Sequence, residues 1–422
     1  MGYSLRSLQW FIFLIANGLA VPIVVGQLYH LSPVEVAEFI QRSFFVIGIS
    51  TFLQVAFGHR LPLIDGPAGI WLGIFVVMGQ IAATKATLNS LIGMLIVAGI
   101  VMVIFGLTGL LSKMLVVFTS LVTSTFLVLL SLQLSGVFLK GMLGIQSDIT
   151  YFPLKEALVA VFIFVLVFAL SMWGKGWMKT YNVLIGIGLG WICFLWIGLH
   201  SPSMHVDAFF SAPHVFAWGI PRFDAGGIIS GILIGIVLLS NTVASITAVN
   251  QVVPEEQKAD KKKLNQSGWV GGISHIISAI FSTIGMVSLT VSAGFVKITN
   301  QTKTNVLKVA CIALIVLSCF PPVMSFLSQL PSQIAYAAIL PSFAQMLAIG
   351  IRTLIQSTLD DRRITIFSLS VSLGIGVMFL PLPVFQKFPS IIQYIFGNGL
   401  LVGVGIVILL DQIWRENVKN KK

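Results

Sequence analysis

Residues 66–71 read Gly66-Pro67-Ala68-Gly69-Ile70-Trp71, inside an apolar window running from about 62 to 83. A proline and two glycines within one turn make a poor continuous helix, because proline lacks the amide proton and glycine loses the most backbone entropy on ordering. In the second half, Met286-Val287-Ser288-Leu289-Thr290-Val291 is small and β-branched, which suits extended backbone, and it runs into Ser292-Ala293-Gly294-Phe295-Val296. The Ala-Gly pairs at 68–69 and 293–294 lie 225 residues apart, and the same offset carries Leu8 into the start of an apolar window near 225–249. Interrupted apolar segments at corresponding positions of two halves mark a carrier whose binding site lies at mid-membrane. Lipid cannot satisfy freed N–H and C=O groups, so such breaks face protein, water or substrate. Helix ends there also offer dipoles to a polar ligand. The plainer alternative is that these glycines only let helices pack closely.

The rest of the chain supplies the membrane. Of 422 residues, 57% are apolar and 9% charged, and the mean hydropathy is +0.99. A soluble chain carries about 25% charged residues, so a soluble fold is excluded. Each span needs about 20 apolar residues. Windows near 7–28, 40–58, 62–83, 88–111, 115–138, 156–173 and 181–199 are followed by a second set near 225–249, 268–285, 286–300, 305–328, 334–351, 364–381 and 390–413. The polar loop Ser201–Asp224 separates seven from seven. An odd number per half turns the second half over, so the expected fold is an all-α polytopic membrane protein of about 14 spans in two inverted seven-span repeats, with short extended segments in spans three and ten.

With a cytoplasmic N-terminus, 18 of the 25 Lys and Arg fall on the cytoplasmic side, six fall outside, and Lys297 lies within a span. The net charge of +11 therefore reports orientation, with both termini cytoplasmic in a cell (inner or plasma) membrane, and not a nucleic-acid partner. Cys193, Cys311 and Cys319 have no metal-ligand spacing and read as packing residues. The stretch Leu8–Leu28 is longer than a signal-peptide core and reads as the first span. An intramembrane enzyme would need an HExxH, GxSxG or Asp-rich motif; none is present, so neither catalysis, cofactor nor metal is expected.

Leu8-Gln9-Trp10, Gly18-Leu19-Ala20-Val21-Pro22, Leu31-Ser32-Pro33, Thr51-Phe52-Leu53-Gln54 and Arg60-Leu61-Pro62, ending at Gly66-Pro67, resemble the opening of the nucleobase-ascorbate (xanthine/uracil) permeases. Pro221-Arg222-Phe223, Asn250-Gln251-Val252-Val253 and Gly272-Ile273-Ser274 continue the resemblance. It implies a core domain (1–111 and 225–328), a gate domain (112–200 and 329–414) and a basic cytoplasmic tail (415–422). It also implies a nucleobase substrate, most of all a purine such as xanthine or uric acid, held between spans three and ten. A homodimer through the gate is compatible with it, and lipid is the other partner.

The site departs from the family pattern. Where span ten of the family carries Gln or Glu, Asn, any residue and Gly, then Thr, this chain has Val291, Ser292, Ala293, Gly294 and Thr299. Where span eight commonly has Glu and His, Asn241 and Thr242 stand here, and Ser245 aligns with a later histidine. Trp71 aligns with the aromatic that covers the base.

A nucleobase needs one stacking face and a few aimed hydrogen bonds in an apolar cleft. Trp71 is the candidate face, Asn241 the amide partner, and Ser245, Thr290 and Ser292 the hydroxyls, with Ala68, Val291 and Gly294 bringing backbone close. Packing and helix-to-helix hydrogen bonding are the alternatives for Trp71 and Asn241. For proton coupling the candidates are Asp65 and His275, since ionisable groups within a membrane are costly and tend to be functional. An extended chain from Arg60 carries Asp65 roughly 16 Å inward, whereas a helix would leave it about 7 Å in, at the interface. His275 reads equally as a hydrogen-bonded packing residue, and Lys297 as one that snorkels to the cytoplasmic interface. Open beside a proton-coupled purine permease stand an uncoupled facilitator and an anion carrier of the related sulfate/bicarbonate architecture. That second architecture predicts a cationic site and a cytoplasmic regulatory domain, and the sequence ends just after span fourteen.

Overall fold

The computed structural model describes residues 3–81, 83–111, 119–145, 152–198, 208–356, 360–381 and 388–414. The tail 415–422 and the start of the loop between the halves, 199–207, lie outside the described residues. The first half runs α1 (Tyr3–Gly18), α2 (Ala20–Leu28), α3 (Pro33–Phe57), β1 (Asp65–Pro67), α4 (Gly69–Ile81) and α5 (Lys85–Leu107). It continues with α6 (Ser120–Met142), α7 (Leu154–Trp173), the short α8 (Trp177–Thr180) and α9 (Asn182–Trp196). The second half runs α10 (Ala225–Asn250), α11 (Lys261–Ile280), β2 (Met286–Ser288), α12 (Val291–Thr299), α13 (Thr304–Ser318), α14 (Pro321–Ser328), α15 (Ser332–Gln356), α16 (Asp361–Met378), α17 (Ser390–Phe396) and α18 (Gly399–Ile413).

Local chemistry sets where these helices begin. The Ser32 hydroxyl accepts from the Glu35 amide while the Glu35 carboxylate accepts from the Ser32 amide, a capping box with Pro33 in the first turn of α3. Asp224 caps α10, Asp260 caps α11 and Asp360 caps α16, each accepting a backbone N–H three residues on. Seven helical segments among the described residues are long and apolar enough to cross a membrane, and α12 and α13 form a further pair bent by 119°. The chain is a multi-pass membrane protein.

The halves repeat one order of elements. The continuous α1–α2 answers α10, α3 answers α11, β1–α4 answers β2–α12, and α6, α7 and α9 are followed in sequence by α15, α16 and α18. The repeat register differs from that read from the two Ala-Gly pairs. Asp65 and Met286 open the strands 221 residues apart, and Gly69 and Val291 open the helices 222 apart. Gly69 thus answers Val291, not Gly294; the Ala-Gly match is a coincidence of small residues, because backbone shape repeats here and sequence does not.

Two groups of helices pack among themselves. In one, α5 lies along α10 and α11 while α3 lies along α13. A Cβ on Gly99 would sit 2.7 Å from the Gly272 carbonyl and one on Gly272 would sit 2.4 Å from that of Gly99, so both positions require glycine for α5 and α11 to meet backbone to backbone. In the other group α6 lies along α15, and α16 along α18. At one end of it Arg362 and Asp411 pair at 2.9 Å, with the second Asp411 oxygen accepting from Thr119 at 2.7 Å.

Candidate functional site

The strands cross at the centre of the first group. β1 and β2 pair antiparallel, Asp65 opposite Ser288, Gly66 opposite Val287 and Pro67 opposite Met286, so α4 and α12 leave the crossing in opposite directions. Proline is tolerated because this ribbon has only two strands and an edge on each. Residues 60–64 form no helix: the chain bends at Leu61 and Pro62, with Arg60 at φ +57°, and becomes a strand at Asp65. Asp65 is wholly buried; its Oδ1 accepts from the Ser288 hydroxyl at 2.8 Å, while Oδ2 has no hydrogen-bond partner among the described residues. The Thr51 hydroxyl accepts from the Asp65 N–H at 3.0 Å and lies 3.3 Å from its carbonyl, tying β1 to α3. Gln54, one turn on, donates to the Ser267 carbonyl at 3.0 Å and accepts from its hydroxyl at 2.9 Å. The Thr51-Phe52-Leu53-Gln54 motif thus fastens the crossing to one half and α3 to the other.

The expected site residues divide. Trp71 is 0% exposed and does not offer a stacking face. Its ring lies 6.1 Å from that of His275, and a Cβ on Gly285 would stand 2.3 Å from its Nε1. The indole is therefore core packing between α4 and α11, the alternative weighed for it. The backbone of Ala68 is not free either: its N–H donates to the Gly285 carbonyl at 3.0 Å, and its carbonyl accepts from Leu72. Ser245 donates to the Ser288 carbonyl at 2.6 Å and Ser292 accepts from the Ile64 N–H at 3.1 Å, so both hydroxyls hold the strands in place. His275 is buried, with Nδ1 2.8 Å from the Gly271 carbonyl and Nε2 unpartnered among the described residues.

Thr290, Val291 and Gly294 remain open, Val291 at 51% exposure, and Asn241 is half-buried on α10, one turn before Ser245. The helices α10 and α12 pack together, which brings Asn241 and the first turn of α12 to one side of the crossing. Facing the start of α4 are Leu130 of α6 and Met346 of α15, 3.5 and 3.8 Å from the Cβ position of Gly69. The arrangement can hold a small polar solute between two helix N-termini with an amide and a hydroxyl at its edge and apolar side chains opposite. A cavity of about 500 Å³ lies elsewhere, lined by Gln27, Glu156, Phe194 and Gln333 among others and by no residue of the strands.

A family model, Xan_ur_permease, described as "Permease family", matches residues 1–382. The chain belongs to that family. The Bacillus subtilis (strain 168) protein named "Putative purine permease YwdJ" is 31% identical over 99% of this chain and 97% of its own length. Uric acid permease PucJ of the same organism is 25% identical over 99% of this chain and 93% of its own. Among solved structures, the transmembrane domain of the cyanobacterial bicarbonate transporter BicA matches with a TM-score of 0.60 at 16% identity, covering 97% of both chains. That likeness is one of fold, and it identifies the inverted-repeat architecture.

Several residues of this permease were not legible as site residues. Ser288 was noted only as part of an extended stretch, yet it is the hydrogen-bond partner of Asp65 across the strands. Gly285 looked like one glycine among 39, and only the packed indole reveals its requirement. Leu130 and Met346 sit in long apolar runs with no local signal at all.

Proposed function

We propose that this chain is a secondary transporter for nucleobases, purines such as xanthine or uric acid first among them. The solute would bind at the strand crossing, between the N-termini of α4 and α12, with Asn241 and Thr290 reading its polar edge. The observation that carries this reading is the paired break itself, in a chain of a permease family whose similar members are named for purine and uric acid transport. The core domain would comprise α1–α5 and α10–α14 and the gate α6–α9 and α15–α18, a division supported by the packing of α5 on α10 and α11, of α6 on α15 and of α16 on α18. Motion of core against gate would then carry the crossing from one side of a cell membrane to the other, with both termini cytoplasmic. Exposed Leu158, Phe162, Leu189 and Ile192 on α7 and α9 give the gate an apolar surface for lipid or for the gate of a second copy.

Proton coupling, where it exists, falls to Asp65 in this reading. It is the one carboxylate at the crossing, it has a free oxygen, and a proton there removes a buried charge. His275 is the secondary candidate through its unpartnered Nε2. The test is uptake of labelled purines, pyrimidines and ascorbate by cells expressing the chain, with and without a protonophore. Purine uptake that collapses with the protonophore is expected; uptake that resists it would support an uncoupled facilitator, and no uptake of any base would end the proposal.

A further inference from the structure

Val291 opens α12 without a charge, and Lys297 is the basic residue of that helix. Of the helices near the crossing, α4, α6, α10, α12 and α15 carry no Asp or Glu, while α3, which packs on both strands, carries Glu35 and Glu38 near its start. Asp65, the sole carboxylate of the two strands, is buried and turned onto Ser288. On α12 the buried face is Ser292, Phe295 and Val296, and the open face runs Val291, Gly294, Lys297 and Ile298. Val291, Gly294 and Lys297 follow one another at the three-residue spacing of a single helix face.

The neighbouring α10 changes character along its length. The outer half of α10 exposes Ile228, Ile229, Ile232 and Leu233, as a lipid-facing helix does, but its inner half exposes Ala244, Thr247 and Gln251 in line below Asn241. Lys297 is exposed and forms no ion pair with any described residue. Six residues of helix set its Cα about 9 Å from that of Val291 along the axis, and its side chain can swing toward either end. Two helix N-termini at the crossing add positive potential of their own.

We propose that the open face of α12 lines an inner, cytoplasm-facing crevice, that Lys297 is its specificity-determining cation, and that it selects purines bearing a negative charge, of the uric acid type, over neutral ones. This rests on the nucleobase reading above. Lys297 acts at a distance: with no ion-pair partner among the described residues, its field raises the local concentration and affinity of an anion without touching the ring. A unit charge about 9 Å away in a partly aqueous crevice corresponds to about a fivefold effect on half-saturation, reduced by salt.

The test is exchange of labelled urate, a monoanion at neutral pH, and of hypoxanthine, neutral there, in proteoliposomes of the full chain carrying Lys297, K297R, K297Q or K297E. The expected result is a half-saturation concentration for urate raised about fivefold by K297Q and further by K297E, near normal in K297R, and unchanged for hypoxanthine throughout. High salt should erase the difference between Lys297 and K297Q. Equal loss for both purines, no change for urate, or a parent chain that carries hypoxanthine and not urate would overturn the inference while leaving purine transport intact. If the parent carries urate alone, rescue by K297R and not by K297Q supports the inference and equal loss in both overturns it. A parent that exchanges no purine would instead defeat the nucleobase reading, and this inference with it.

Discussion

The most consequential side chain in the fold is Asp65, held by a single hydrogen bond from Ser288 across the strand pair. Taking that donor away in S288A leaves a buried carboxylate with fewer partners. The change should cost about 1–3 kcal/mol, read as a lower melting temperature of the purified protein in detergent. D65N keeps a hydrogen-bonding group of the same shape but cannot release a proton. If Asp65 couples transport, D65N should abolish protonophore-sensitive accumulation while sparing exchange of substrate down its gradient. Loss of both would make the residue structural. Asp65 itself was visible in the sequence as an acidic residue in an apolar window. Its environment was not, because it is set by a strand at 65–67 that pairs with residues more than 200 positions away. Trp71 is ambiguous in sequence for a related reason: a large aromatic beside a break fits a stacking platform and a packed core equally well until His275 and Gly285 are seen against it.

At the scale of elements, the breaks at 65–67 and 286–288 were legible because proline, glycine and β-branched residues act locally. The repeat register was not legible, since two-fold related backbones tolerate different side chains and the short motif that matched was a chance one. The contact between the two broken elements is tightest at Gly285. G285A would press a methyl group onto the Trp71 indole. It should lower stability by about 1–3 kcal/mol, with transport reduced in proportion to folded protein when both are measured on the same membranes. A G285A protein as stable as the parent would mean that the contact of Trp71 with the segment before β2 is looser than described. Thr51 and Gln54 illustrate the opposite case: their sequence motif carried a resemblance, and the structure supplies its physical content as a clamp on β1 and on α11.

At the scale of the whole molecule, chain-wide features governed what could be read early. Hydropathy and the lysine and arginine asymmetry placed the chain in a membrane, and an odd number of windows on either side of one polar loop implied inversion. What they could not give is how the two helix groups meet. One meeting point lies where Tyr394 of α17 reaches the Asp224 carboxylate at 3.4 Å. Cysteines introduced as D224C and Y394C, in a chain freed of Cys193, Cys311 and Cys319, should cross-link the groups and stop transport until a reductant is added; transport that continues in the cross-linked protein would show that the groups move as one body. The central claim is that the strand crossing binds a nucleobase, and the most direct measurement of it is equilibrium binding of a labelled purine to the purified full chain and to N241A. The account predicts one saturable site in the parent and its loss in an N241A protein of unchanged melting temperature. Undiminished binding in N241A, or none in the parent, would contradict it.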